Sequence, residues 1–160
     1  MNPFKHQDFL EENFLNEFEK QQFKQQELIP KITEPIRKRL TMPPQAVDIK
    51  PGHDTMFAVT FLCNTMGTDI KDIIGLNLLS TLLFDTPKSP FYIDFLETEL
   101  ADGFSPSYGY EMSILPSYFT IGFKNVKKGT EKKIEAKIFE TLERVVKEGL
   151  DRGLIDSSIH

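Results

Sequence analysis

The sequence predicts an α+β fold: a mostly antiparallel sheet with helices packed on one face, preceded by a helical arm. Three observations carry this prediction. Two apolar strand patterns, "MFAVTFLC" and "SYFTIGFKNV", stand far apart in the chain. An apolar helical pattern follows the first, and an amphipathic one follows the second. The two strand-like runs near the middle are joined by a short turn, as antiparallel neighbours are.

The first element, Pro3 to Leu28, is predicted as one long helix. Phe9, Leu10, Phe14, Phe18 and Phe23 recur near helical spacing, Pro3 suits a helix start, and Pro30 ends the pattern. Residues 1–30 are therefore expected to form an arm, and 31–160 a domain. Pro30, Pro35, Pro43, Pro44 and Pro51 make the next stretch an extended loop, with "PIRKRL" a candidate edge strand. Met56–Cys63 is apolar on both faces and is expected at the centre of the sheet. After the turn "NTMGTD", Thr68 or Asp69 is expected to cap a helix through Phe84. Its buried side would carry Ile70, Ile73, Ile74, Leu78, Leu79, Leu82 and Leu83.

"DTPKSP" breaks that helix. Ser89 is expected to cap a short helix at "PFYIDFLETEL", with Pro90 at its first position and Gly103 closing it. "SPSYGYEMSI" and "SYFTIGFKNV" read as a hairpin turning at "LPS". In its second strand Phe119, Ile121 and Phe123 alternate with Tyr118, Thr120 and Gly122. The last full helix runs from Glu131 to Glu148, with Ile134, Ile138, Leu142, Val145 and Val146 inward and Gly149 as its stop. "DRGLIDSSIH" looks like the entry to a further helix, capped by Asp156 or Ser157 and cut short.

Composition narrows the function classes. The net charge of −5 disfavours a general nucleic-acid binder, and "IRKRL" is too short to change that. No apolar run approaches the length of a membrane span, so no membrane partner is expected. The N-terminus is acidic, with no h-region or Arg-rich transit pattern. Cys63, the only cysteine, excludes an intrachain disulfide and reads as a core thiol.

No catalytic constellation emerges. His6, His53 and His160 share no metal-ligand spacing, and no H-x-x-E-H, H-E-x-x-H, G-x-S-x-G or P-loop is present. "PSYGYEMS" has Ser, Tyr and Glu but no histidine base. Glu97 and Glu99 point in different directions on a helix, so they do not form an acid/base pair. The residues alone support a binding or structural domain.

The segments "LNLLSTLLFDTPKSPFY", "LETELADGFSPSYGY", "SYFTIGFKNV" and "VVKEGLD", in that order, are similar to one region of the presequence proteases. These are pitrilysin-type zinc metallopeptidases, of which the insulin-degrading enzyme is a more distant member. The resemblance covers about Ile36 to His160. It implies the family's non-catalytic second domain, which shares the α+β fold but lacks the inverted zinc motif. In the full-length family zinc sits in another domain, so this chain is expected to bind none and to be inactive alone. The implied partners are unstructured peptides, the catalytic domain and the second half of the parent protease. The implied compartment is the mitochondrial matrix.

By analogy with the insulin-degrading relative, "KSPFY" and the strand "SPSYGYEM" are where a peptide would be steadied by strand addition. The candidate contacts are Ser89, Pro90, Phe91, Tyr92, Tyr108 and Tyr110. The plain alternative is that Phe91, Tyr92 and Phe95 are core anchors. Two other functions remain open: a stand-alone peptide-binding or dimerising module using the Phe-rich arm, and a non-peptidase structural subunit.

Overall fold

The computed structural model describes residues 3–19, 22, 32–41, 51–63 and 69–159. The turn 64–68, with the alternative cap Thr68, lies outside them. So do the whole of the loop 42–50 and most of the predicted first helix beyond residue 19.

The described elements follow the order α1 (Pro3–Asn13), β1 (Thr55–Leu62), α2 (Ile70–Phe84), a π-helix (Tyr92–Glu97), β2 (Gly103–Phe104), β3 (Gly109–Glu111), β4 (Tyr118–Val126), α3 (Glu131–Glu148) and α4 (Arg152–Ile159). The strands form one antiparallel sheet. β4 is its centre, with β1 along one side and β2 and β3, end to end, along the other. This corrects the expected central position of Met56–Cys63. Among the described residues β1 pairs only with β4, and Met56, Ala58, Thr60 and Leu62 are exposed. Composition marked β1 as apolar but could not say which strand would have two neighbours.

The inward face of β4 carries Phe119, Ile121 and Phe123, as the alternation predicts, and all three are buried. Phe57, Val59, Phe104 and Tyr110 extend this face across the other strands, while Leu76, Leu79 and Leu83 of α2 and Ile134, Ile138, Leu142 and Val145 of α3 close it. On the opposite face the Thr60 and Thr120 hydroxyls lie 2.9 Å apart. Gly122 is required there, because a Cβ would collide with Ser105 Oγ and press on Ala58 Cβ at 3.3 Å.

α2 follows from its sequence. The Asp69 carboxylate accepts from the Lys71 amide at 3.0 Å and so caps the start. Ile70 and Ile74, expected inward, are exposed, and Leu76 takes an inward position instead. α3 has the predicted bounds, and Gly149 ends it at φ 79 with its amide donating to Val145 O. Val146, expected inward, is 86% exposed: it falls one residue round from the Leu142 and Val145 stripe. α4 begins a turn earlier than expected, because Asp151 rather than Asp156 or Ser157 caps it, accepting from the Leu154 amide at 2.8 Å.

Two N-terminal expectations are overturned. α1 stops at Asn13, where the Asn13 side-chain amide donates to Phe9 O at 2.8 Å, and a single 3₁₀ turn at Leu15–Glu17 leads to extended backbone at Phe18. Every described side chain of α1 is exposed, and burial among them does not help to extend the helix. Among the described residues "PIRKRL" pairs with no strand. It lies beside α3, with Arg37 on Glu135 and Arg39 on Glu131.

Gly109 has φ 90, and a Cβ there would strike Ser80 Oγ. Gly109→Ala is therefore expected to lower stability by about 1–2 kcal/mol, from left-handed strain plus displacement of Ser80. Thermal denaturation checks this. An unchanged Tm would show that the strand end relaxes freely.

The connector between α2 and the hairpin as candidate functional site

The connector runs from Thr86 to Tyr110 and sits where α2, the π-helix and β3 meet. Pro90 is the first helical residue, as predicted. Ser89 acts differently from expectation. Its hydroxyl accepts from the Thr86 amide at 3.1 Å and lies 3.1 Å from Thr86 Oγ1, fixing the loop behind it, while its carbonyl accepts from the Ile93 amide at 3.1 Å. The helix then widens into a π-helix from Tyr92 to Glu97. The Leu100 amide donates to Phe95 O at 2.9 Å, the long i→i+5 spacing of that form. Glu99, at φ 56, turns the chain out of it, the task expected of Gly103. Gly103 instead opens β2, opposite Lys124.

The six candidate contact residues separate by exposure. Ser89, Pro90 and Phe91 are buried, Phe91 completely. Phe91 stacks on Phe84, with ring centroids 5.2 Å apart, and touches Phe95 and Phe123. Tyr92 and Tyr110 are half-buried, and Tyr108 is 40% exposed. Tyr108 packs against Phe84 and Phe104 and donates to the Asp85 carboxylate at 3.4 Å. Burial, then the adjacent Asp85 charge, raise the Tyr108 phenol above its ordinary range. Tyr110 donates through its hydroxyl to Ser117 Oγ at 3.3 Å.

The strand "SPSYGYEM" is less open to an added peptide than its sequence suggests. The Tyr110 amide already donates to Ser80 Oγ of α2 at 3.3 Å, so α2 covers this side of β3. On the far side of the sheet β1 has no such cover from a described strand. Ser80 and Asp85 had no local signal in the sequence, since each acts on a residue more than twenty positions away.

Asp94 also escaped sequence reasoning. Its carboxylate accepts from Thr141 Oγ1 at 2.6 Å and Arg144 Nη2 at 2.9 Å, with Lys137 Nζ at 3.8 Å. Burial opposes its ionisation, but the two hydrogen bonds and the Arg144 and Lys137 charges prevail and hold the carboxyl below its usual range. The network ties the π-helix to α3. Beside it a cleft of about 150 Å³ is lined by Pro90, Ile93, Val145 and Leu154, with Lys88 and Glu148 also at its wall.

Among the described residues no three His, Cys, Asp or Glu side chains come together as metal ligands. His53 Nδ1 lies 3.3 Å from the Asn125 carbonyl. The described donors therefore do not fit a zinc ion. Cys63 is half-buried, and its thiol is raised by burial, against the smaller opposing effect of a Phe119 backbone hydrogen bond. No helix among the described residues is long and apolar enough to cross a membrane.

Comparison with known proteins gives this chain a family. The chain is 34% identical over 110 residues to the mitochondrial presequence protease of Xenopus tropicalis, covering 69% of this chain and 11% of that protein. It is 30% identical over 113 residues to the chloroplastic/mitochondrial presequence protease 1 of Arabidopsis thaliana, covering 71% of this chain and 10% of that protein. It thus spans about a tenth of the length of these relatives. A solved structure of the inactive peptidase domain of a proposed zinc protease from Bordetella parapertussis shares the fold. Its TM-score is 0.54 at 22% identity, over 64% of this chain and 54% of that one. The profile of the family described as "Peptidase M16 inactive domain" matches residues 4–160, and the chain belongs to that family.

Proposed function

We propose that this chain serves a longer presequence-protease-like zinc peptidase as part of the wall of a chamber for unstructured peptides. It would act beside a catalytic domain and a second half, with the zinc held elsewhere, in the mitochondrial matrix. Residues 1–30 would form the arm and 31–160 the wall domain. The observation that carries the reading is the family match over nearly the whole chain, joined to a sequence without H-x-x-E-H. Two surfaces suit a passing peptide. One is the outer side of β1, where backbone groups can add a strand. The other is the tyrosine rim of Tyr92, Tyr108 and Tyr110, shaped from behind by Ser89, Pro90 and Phe91.

A photoreactive unstructured peptide incubated with the full chain tests this. Cross-links are expected on β1 or on Tyr92 and Tyr108, without peptide cleavage, and Tyr108→Ala should weaken capture at the rim severalfold. Stoichiometric zinc together with hydrolysis by this chain alone would overturn the proposal. So would cross-links confined to α1, which would favour a module working through its arm.

A further inference from the structure

We propose that Glu131 and Glu135 of α3 form a binding site for extended segments that carry arginine at alternate positions, with residues 35–40 as its resident ligand. The inference rests on the geometry at α3 and stands apart from the peptidase reading. In an extended chain, residues two apart share a side and lie roughly 6.6–6.8 Å apart. On a helix, residues four apart share a face and lie about 6 Å apart along the axis. The two repeats match, and the structure uses the match. Arg37 grips Glu135 through two parallel bonds of 2.7 and 2.6 Å, and Arg39 reaches Glu131 at 3.1 Å. The segment therefore runs antiparallel to α3.

The chemistry selects arginine. A planar guanidinium can engage both oxygens of one carboxylate, which an ammonium cannot do with the same direction. Ile36 and Leu40, the alternate residues, are 64% and 82% exposed, so they add little to the grip. Both arginines are largely exposed as well. A hold made of exposed ion pairs is weak and screened by salt, which makes the strap displaceable. Phe139 continues the Glu131–Glu135 line by one more turn. It is 41% exposed and packs edge-on against Phe61, offering an apolar spot where a ligand could extend. Tethering gives the strap a high effective concentration, so the intact chain masks its own site.

The test uses a fluorescein-labelled peptide, Ile-Arg-Lys-Arg-Leu, and the full chain, read by fluorescence anisotropy at low salt. Removing the resident ligand with Arg37→Ser/Arg39→Ser is expected to tighten peptide binding about tenfold over the unmodified chain. Adding Glu131→Gln/Glu135→Gln should abolish that binding, as should replacing both arginines of the peptide by serine. In the otherwise unmodified chain, Glu131→Gln/Glu135→Gln should speed tryptic cleavage after Arg37 and Arg39 while far-ultraviolet circular dichroism stays unchanged. Equal affinity for the strap-free and unmodified chains would overturn the proposal. So would binding that survives loss of both carboxylates, or a cleavage rate that does not move.

Discussion

Replacing Phe84 by alanine is expected to cost about 3–5 kcal/mol of folding free energy, the range for deleting a buried phenylalanine. Phe84 is 1% exposed and is the hub of the aromatic core. Its ring touches Phe91, Phe104, Tyr108 and Phe119, with centroids 5.2 to 6.0 Å apart. Those four residues come from the connector, β2, the β2–β3 loop and β4. The cavity would therefore open where α2 meets the sheet and the connector, and no single side chain could collapse into it. A cost of this size is a large part of the total stability of an ordinary domain. The chain is expected to populate unfolded or loosely packed forms at 37 °C. Urea denaturation of the variant checks the figure, with Phe84→Leu as the milder companion, expected to lose about half as much or less. If Phe84→Ala shifts the midpoint no more than Phe84→Leu, the hub assignment is wrong.

The second large effect is expected at Asp94. Asp94→Ala should cost about 2–3 kcal/mol at neutral pH, because it removes two charge-assisted hydrogen bonds from a carboxylate whose side chain is only 13% exposed. The loss is limited, since Thr141 keeps its bond to the Lys137 carbonyl at 2.9 Å and Arg144 is 42% exposed and can be hydrated. Its pH dependence has a definite sign. The folded-state pKa is depressed, so the contribution is complete above the unfolded value of about 4 and is lost as pH falls through the folded value. The unmodified chain and the variant should therefore differ by a constant amount from pH 7 to about 5 and converge below about pH 4. Urea midpoints at neutral and acid pH measure this. The same difference at both would show that Asp94 contributes through packing and not through its charge.

These two sites show how legibility divides in this protein. Phe84 closes a helix whose apolar run is plain in the sequence, and its burial is unsurprising. Asp94 sits between Ile93 and the buried Phe95 in the π-helix, and its sequence neighbours are mostly apolar. Its partners lie 47 and 50 positions later on α3, and nothing nearby marks them. The connector shows the same split. Its punctuation, Pro90 and the aromatic positions, was readable. The wide π-turn, the positive φ of Glu99 and the backward bond of Ser89 were not, because each answers to the space left by neighbouring elements. The arm was misread for the complementary reason. Its phenylalanines keep helical spacing, but spacing alone does not sustain a helix, and every described side chain of α1 is exposed.

By itself, the sequence determined the fold class, the course of α2, β4 and α3, the want of a zinc motif and the family. These follow from periodicity, stop signals and residue order, which act within one segment at a time. Only the tertiary structure decided that β4 and not β1 is central, that α2 shields β3 through Ser80, and that "PIRKRL" lies on α3 instead of joining the sheet. It also separated the buried Phe91 from the exposed Tyr108 within one aromatic-rich connector. The physical reason is common to all four. Strand order, edge cover and burial depend on which distant surfaces meet, and a residue's own neighbours in the chain carry no record of that meeting.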